Sequence, residues 1–268
     1  MAFPDLLKKA PLWGAFFVLA ICLGAPALAA SCPAPSDAGT VRVARVVDGD
    51  TLKLADGRNV RLIGVNAPEL AHGGRSTELF AEAARQRLQA LVAANDGELG
   101  LQLGRQGKDH YGRTLAHLYD RQGRNIEAQL LAEGLGYLVA VAPNTELTAC
   151  QQAAEREARK AGRGLWKRPP VRDAQTLRQS GFVIVRGRVA QVQRNRGGLW
   201  LEMDGSLVLR IEPKLLKAFD KRTLEALPGR TLEARGWVID RAARGAVKPG
   251  QARWMLPITD PAMLELLP

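Results

Sequence analysis

Two aspartate–glycine turns cut residues 41–65 into three short runs, and this spacing restricts the fold more than any other feature of the chain. Val41 to Val47 is rich in valine. Asp48-Gly49-Asp50 is turn chemistry, Thr51 to Leu54 resumes the strand, Asp56-Gly57 makes a hairpin, and Arg58 to Val65 forms a third strand stopped by Pro68. Strands this short, joined this tightly, pair with their sequence neighbours in an antiparallel meander. They bury one face only if the sheet curls on itself or packs on a helix.

The pattern downstream supplies that helix. Leu79, Phe80, Ala83, Ala84, Leu88 and Leu91 recur at helical spacing, so a helix is expected over Thr77–Ala93 with Ser76 as N-cap. Glu98–Leu103 and Thr114–Tyr119 follow as strands. Asn125–Glu133 and Thr145–Lys160 follow as helices, closed by Gly134 and by Ala161-Gly162. Three strands, a helix and two strands is the order of a five-stranded OB barrel. The expected fold class is therefore mainly β with α (α+β): an OB-fold barrel with three helices over residues 41–166.

Residues 167–180 are charged and contain Pro169-Pro170, which is linker chemistry. Strands are then expected at Phe182–Val192, Leu199–Met203, Ser206–Ile211, Thr231–Ile239 and Ala252–Leu256, with a short helix opened by Pro213. The same order implies a second, smaller OB-like β-barrel over 181–268, with Trp200, Trp237 and Trp254 as its expected core. Arg194 and Arg196 mark its first hairpin loop as a candidate extension of a basic track.

Residues 1–29 are expected to be a cleaved signal peptide. Lys8 and Lys9 precede an apolar run from Trp13 to Leu23, and Ala27-Leu28-Ala29 offers the small residues of a cleavage site. The expected location is periplasmic or secreted, with no stable membrane insertion after cleavage; a retained anchor is the alternative. Export leaves Cys32 and Cys150 as an even pair in an oxidising compartment, a candidate disulfide, with two free thiols as the alternative. The chain carries a formal charge of +11, of which the first 29 residues hold one. That excess favours a polyanionic partner, nucleic acid or an anionic membrane face, against the plainer reading of a solvated basic surface. Oligomeric state is left open.

Polar clusters sit at the ends of the strand-like runs: Asp50 in the first turn, Asn66 and Glu69 after the third strand, Tyr111 and Arg113 before the fifth. Taken singly, each has a duller role as a turn residue, a snorkelling arginine or a solvated glutamate. Converged at one barrel rim, they make a phosphodiester site. Asp50 supplies a charged oxygen to a hard cation, Arg61 and Arg113 fork around phosphate oxygens, and Glu69 accepts a proton from water. His110 and His117 are expected as surface histidines, and His72 lies in a glycine-rich loop.

Residues 41–166 resemble the staphylococcal nuclease (thermonuclease) family. The matching pieces are Asp48-Gly49-Asp50-Thr51, Arg61-Leu62-Ile63-Gly64-Val65 leading to Ala67-Pro68-Glu69, Tyr111-Gly112-Arg113-Thr114-Leu115-Ala116, Asn125 to Gly134, and Gly162-Arg163-Gly164-Leu165-Trp166. The resemblance implies calcium-dependent hydrolysis of DNA and RNA to leave 3′-phosphates. Asp50 and Asn66 would hold Ca2+, Arg61 and Arg113 the scissile phosphate, and Glu69 the attacking water, with Tyr111 beside the substrate. Asn66 stands where the family has a second metal-binding aspartate, so it brings an oxygen without charge and weaker calcium binding is expected. A catalytically weak or inactive nucleic-acid-binding OB-fold protein is the competing expectation.

Overall fold

The computed structural model describes residues 32–267, apart from residues 72, 75, 246 and 249. The expected signal segment 1–29 and His72 lie outside the described residues. Strands β1 (Gly39–Val46), β2 (Thr51–Leu54) and β3 (Asn59–Leu62) form the expected meander. The short β4 (Val65–Asn66) follows, then helix α1 (Ala81–Ala93), β5 (Glu98–Lys108) and β6 (Thr114–Tyr119). The barrel closes in the order β1-β2-β3-β6-β5, with β5 returning to β1. Only β3 and β6 run parallel in it. Helix α2 (Ile126–Ala132), strand β7 (Tyr137–Leu138) and helix α3 (Thr148–Lys160) complete this half, giving a closed barrel with three helices, consistent with an OB-fold. Leu52, Val60, Leu88, Leu118, Ile126 and Leu130 are fully buried among the strands and helices.

Two of the boundaries that differ from expectation shape the site. The third strand breaks after Leu62 because Gly64 takes a φ of 89°, and Val65–Asn66 turns away to pair with β7. A Cβ on Gly64 would lie 1.9 Å from Gln151 Oε1, so the turn also needs the missing side chain. Helix α1 begins at Ala81 instead of Thr77, and Ser76 is not its cap. The polar groups of that first turn serve the preceding loop instead. Glu78 N donates to Glu69 O at 2.9 Å, Glu69 N donates to Glu78 Oε2 at 3.0 Å, and Ala71 N donates to Thr77 Oγ1.

The second half holds β8 (Val171–Asp173), β9 (Gly181–Asn195), β10 (Gly198–Met203), β11 (Leu207–Ile211), the short helix α4 (Lys221–Glu225), β12 (Thr231–Asp240), β13 (Trp254–Pro257) and β14 (Leu264–Leu266). They form one seven-stranded sheet in the order β14-β12-β13-β11-β10-β9-β8, and β12 also pairs with β9. The stretch 167–180 is not a free tether: β8 pairs in parallel with β9, and Ala174 and Leu177 are buried. Of the three tryptophans expected in the core, Trp254 is buried, Trp200 is only partly covered, and Trp237 is 42 % exposed. Alternation along β12 decides the last case, since Trp237 sits between the buried Gly236 and Val238 and therefore faces outward.

The two halves pack on each other through α3 and β12. Arg235 donates from Nη1 to both carboxylate oxygens of Glu155 at 2.8 and 2.6 Å, both side chains being buried. Arg159 pairs with Glu233 and with Glu265. Thr259 Oγ1 donates to Ala140 O at 2.7 Å. A disulfide joins Cys32 to Cys150 across 118 residues of chain, tying the N-terminal segment to α3. Among the described residues, no helix is long and apolar enough to cross a membrane.

Candidate active site

Asp50 sits at the foot of the β1–β2 turn, 5 % exposed. Its Oδ2 accepts from Ala67 N at 2.7 Å and meets Arg61 Nη2 at 3.1 Å, while Thr51 Oγ1 donates to Oδ1 at 3.0 Å. Desolvation by burial pushes its pKa up to about 6; the Arg61 charge opposes this and Asp48 adds to it. Asp48 itself shapes the turn, its Oδ1 accepting from Asp50 N at 3.0 Å.

Arg61 projects from β3 into the same pocket. Its Nη1 donates to Leu62 O and Val65 O at 2.9 and 2.7 Å, and Nη2 donates to Asn66 Oδ1 at 3.1 Å. The guanidinium thus bridges Asp50 and Asn66, the two expected metal ligands. The duller alternative, an Arg61 that snorkels to the surface, does not hold, because its side chain is almost fully covered. In this arrangement it is an internal counter-ion, with both terminal nitrogens engaged by protein oxygens.

Arg113 is held differently. Asp109 Oδ1 accepts from the backbone N of Tyr111 and of Arg113, and Asp109 Oδ2 accepts from Arg113 Nε at 2.7 Å. The terminal nitrogens of Arg113 take no hydrogen bond among the described residues, so they remain available to phosphate. Its guanidinium lies 5.5 Å from the centre of the Tyr111 ring, which is 74 % exposed. Glu69 stands on the loop after β4. Burial raises its carboxyl above the ordinary range, as do Asp48 and Glu78, while Arg61 and Arg113 lower it. One carboxylate therefore feels charges from the β1–β2 turn, β3, the loop before α1 and the loop before β6. Contacts join Asp50, Arg61 and Asn66, and the charges of Arg61 and Arg113 both reach Glu69.

Sequence reasoning missed three supporting residues: Asp48, Glu78 and Asp109. Asp109 had a signal, for Asp-x-x-Gly-Arg recurs at Asp120–Arg124 with the same hydrogen bonds. Glu78 had none, since its partner is a backbone group nine residues away. The histidines part company. His110 is exposed, whereas His117, expected at the surface, is buried with Nδ1 3.1 Å from Glu127 Oε1. Its strand position faces α2, so it belongs to the core and not to the site.

The donors at the rim are all oxygens, which suits a hard divalent cation. Among the described residues no cluster of three or more His, Cys, Asp or Glu is poised on a metal. Asp50 and the neutral Asn66 would be its protein ligands, and water or phosphate oxygens would supply the remaining positions.

Residues 59–168 match the family model described as staphylococcal nuclease homologue. The chain is 32 % identical over 129 residues to a thermonuclease of Staphylococcus intermedius, covering 47 % of this chain and 75 % of that protein. The chain belongs to the staphylococcal nuclease family. A thermonuclease of Staphylococcus hyicus is 30 % identical over 131 residues, with the same coverage. An uncharacterized endonuclease of Haemophilus influenzae is 30 % identical over 145 residues, covering 52 % of this chain and 74 % of its own. This nuclease is accordingly a phosphodiester hydrolase acting on nucleic acid, in a family that uses a divalent metal. The family match ends at residue 168 and leaves the second half outside it.

Proposed function

We propose that this nuclease is an exported, calcium-dependent endonuclease that cleaves DNA and RNA and leaves 3′-phosphates. The observation that carries this reading is the placement of Glu69 in the fields of both Arg61 and Arg113 at the rim that holds Asp50 and Asn66. When bound, the cation would neutralise a phosphate oxygen and so favour attack on phosphorus. Glu69 orients and deprotonates the water. Arg113 offers its terminal nitrogens to the phosphate, and Arg61 joins it when the scissile group enters, both favouring the extra charge of a five-coordinate phosphorus. Tyr111 packs beside the nucleotide. The leader over 1–29 and the Cys32–Cys150 disulfide support an oxidising, exported location.

The proposed organisation is a nuclease barrel over 41–166, a connection over 167–180 and a second OB-like barrel over 181–268. The second barrel is supported by the pairing of β9, β10, β11, β13 and β12, with β12 returning to β9. This repeats the strand order of the first, including a single parallel pair, β11 with β13.

The test is plasmid nicking across a calcium titration, for wild type and Glu69→Gln. The variant is expected to bind nucleic acid normally and to lose about 2–5 kcal/mol of transition-state stabilisation. Equal turnover would remove Glu69 from the mechanism. The neutral Asn66 favours a second reading, a weak catalyst that chiefly binds nucleic acid; binding without nicking at any calcium concentration would select it.

A further inference from the structure

A cleft of about 690 Å³ opens beside the site, within the size range of ligand pockets. The nuclease barrel contributes Asn66 and Glu69 to it, the connecting segment contributes Arg168 and Arg172, and the second half contributes Phe182 and Trp237. Four rings form a row across the junction between the halves. Trp166 meets Tyr137 edge-on at 5.7 Å, Tyr137 stacks on Phe182 at 5.4 Å, and Phe182 meets Trp237 at 5.4 Å. Trp166 and Tyr137 are buried, Phe182 is half-buried, and Trp237 is open to the cleft. A large indole left exposed on a rigid strand, at the open end of an otherwise covered aromatic row, is a platform for a planar ring. Arg168 and Arg172 are exposed and form no ion pair among the described residues.

We infer that the cleft binds the substrate strand next to the scissile phosphate, with an unstacked base on Trp237 and backbone phosphates on Arg168 and Arg172. The inference rests on the proposed function, because it takes the cleft as the path of the strand away from Glu69. It gives the second half a task, namely favouring single-stranded substrate. A base can lie flat on an indole only when it has left its own stack, and every base presents such a face, so the contact selects strandedness over sequence. Arginines reinforce this by pairing with phosphates spaced along a flexible strand.

The experiment measures equilibrium binding of the full chain to a fluorescein-labelled twelve-nucleotide oligothymidylate by anisotropy, in EDTA, so that affinity is read independently of cleavage. Trp237→Ala is expected to weaken binding about tenfold, the usual loss for one stacked base, while Trp237→Phe keeps most of the affinity. Arg168→Gln/Arg172→Gln should reduce the slope of log affinity against log salt by about 1.4, the contribution of two phosphates on a single strand. Both sets of positions are exposed, and thermal melting checks that each variant is folded. Wild-type affinity and salt slope in these variants would overturn the inference. So would an equal loss of affinity by Trp237→Ala for a twelve-base-pair duplex, because that contact would not involve a free base. Plasmid nicking is scored separately. A chain that shows these binding losses yet never nicks defeats the proposed catalysis and leaves the strand site standing.

Discussion

Asp48 holds no ligand in the proposed mechanism, yet its charge adds to the proton affinity of Glu69, the proposed base. Its charge lies near both Asp50 and Glu69 and raises the proton affinity of each, behind burial as the leading cause for both. In the proposed mechanism Glu69 acts when ionised, so activity is expected to fall as pH drops through its raised pKa. Asp48→Asn removes the charge but keeps an oxygen able to accept from Asp50 N. The acid limb of the pH profile of kcat/KM should then move to lower pH, while remaining above the ordinary glutamate range because burial persists. A limb that stays in place would show that Asp48 does not act on the group that titrates. Arg61 teaches a related lesson. Its type and position were legible, but its present engagement with Asp50, Asn66 and two backbone oxygens was not, because all four come from the fold of a loop.

At the scale of elements, the β1–β2 turn is fixed to the barrel by a glycine that needs no unusual φ. A Cβ on Gly49 would lie 2.6 Å from the Cβ atoms of both Ala67 and Ala84. The turn, the loop carrying Glu69 and helix α1 therefore meet at one point, and three small residues let them do so. Gly49→Ala overpacks that contact and is expected to cost about 1–3 kcal/mol in denaturant unfolding. It should also lower kcat/KM, because relief of the clash must move Asp50 or the loop with Glu69. A variant as stable and active as wild type would show that the contact can relax freely. The displaced start of α1 belongs to the same scale. Ser76 and Thr77 carry good capping chemistry, but the loop between β4 and α1 needs hydrogen bonds, and Glu78 and Thr77 provide them.

For the whole molecule, the Arg235–Glu155 pair holds the nuclease barrel to the second half. Both groups are buried, and Glu155 Oε1 also accepts from Leu138 N at 2.7 Å. Arg235→Met would strand a buried carboxylate, an expected loss of about 3–5 kcal/mol by chemical denaturation. Adding Glu155→Gln should recover part of that loss, since the coupling sits in the pair. If Arg235→Met unfolds like wild type, this pair does not hold the halves together, and Arg159 with Glu233 and Glu265 and the apolar contacts do. The inferred strand site requires rigidity across this junction, because the cleft takes side chains from both halves and a hinge there would separate Trp237 from Glu69.

The sequence by itself determined the nuclease barrel and its rim. Short runs cut by Asp-Gly turns leave little choice of pairing, and Asp50, Asn66, Glu69 and Arg113 fall at the ends of the expected strands; Arg61 read as mid-strand, and the break of that strand after Leu62 is tertiary. It also carried five strands of the second half, since alternation and turn chemistry are local, but not β8 or β14. Only the tertiary structure decided how the halves meet. Residues 167–180 read as a tether, yet Val171–Asp173 found an open strand edge on β9, a partner that local composition does not encode. His117 and Trp237 exchanged their expected places for a similar reason. A histidine opposite a glutamate on a distant helix is buried, and a tryptophan on the outer face of a strand is not, because strand orientation relative to the core is set by packing between segments far apart in the chain.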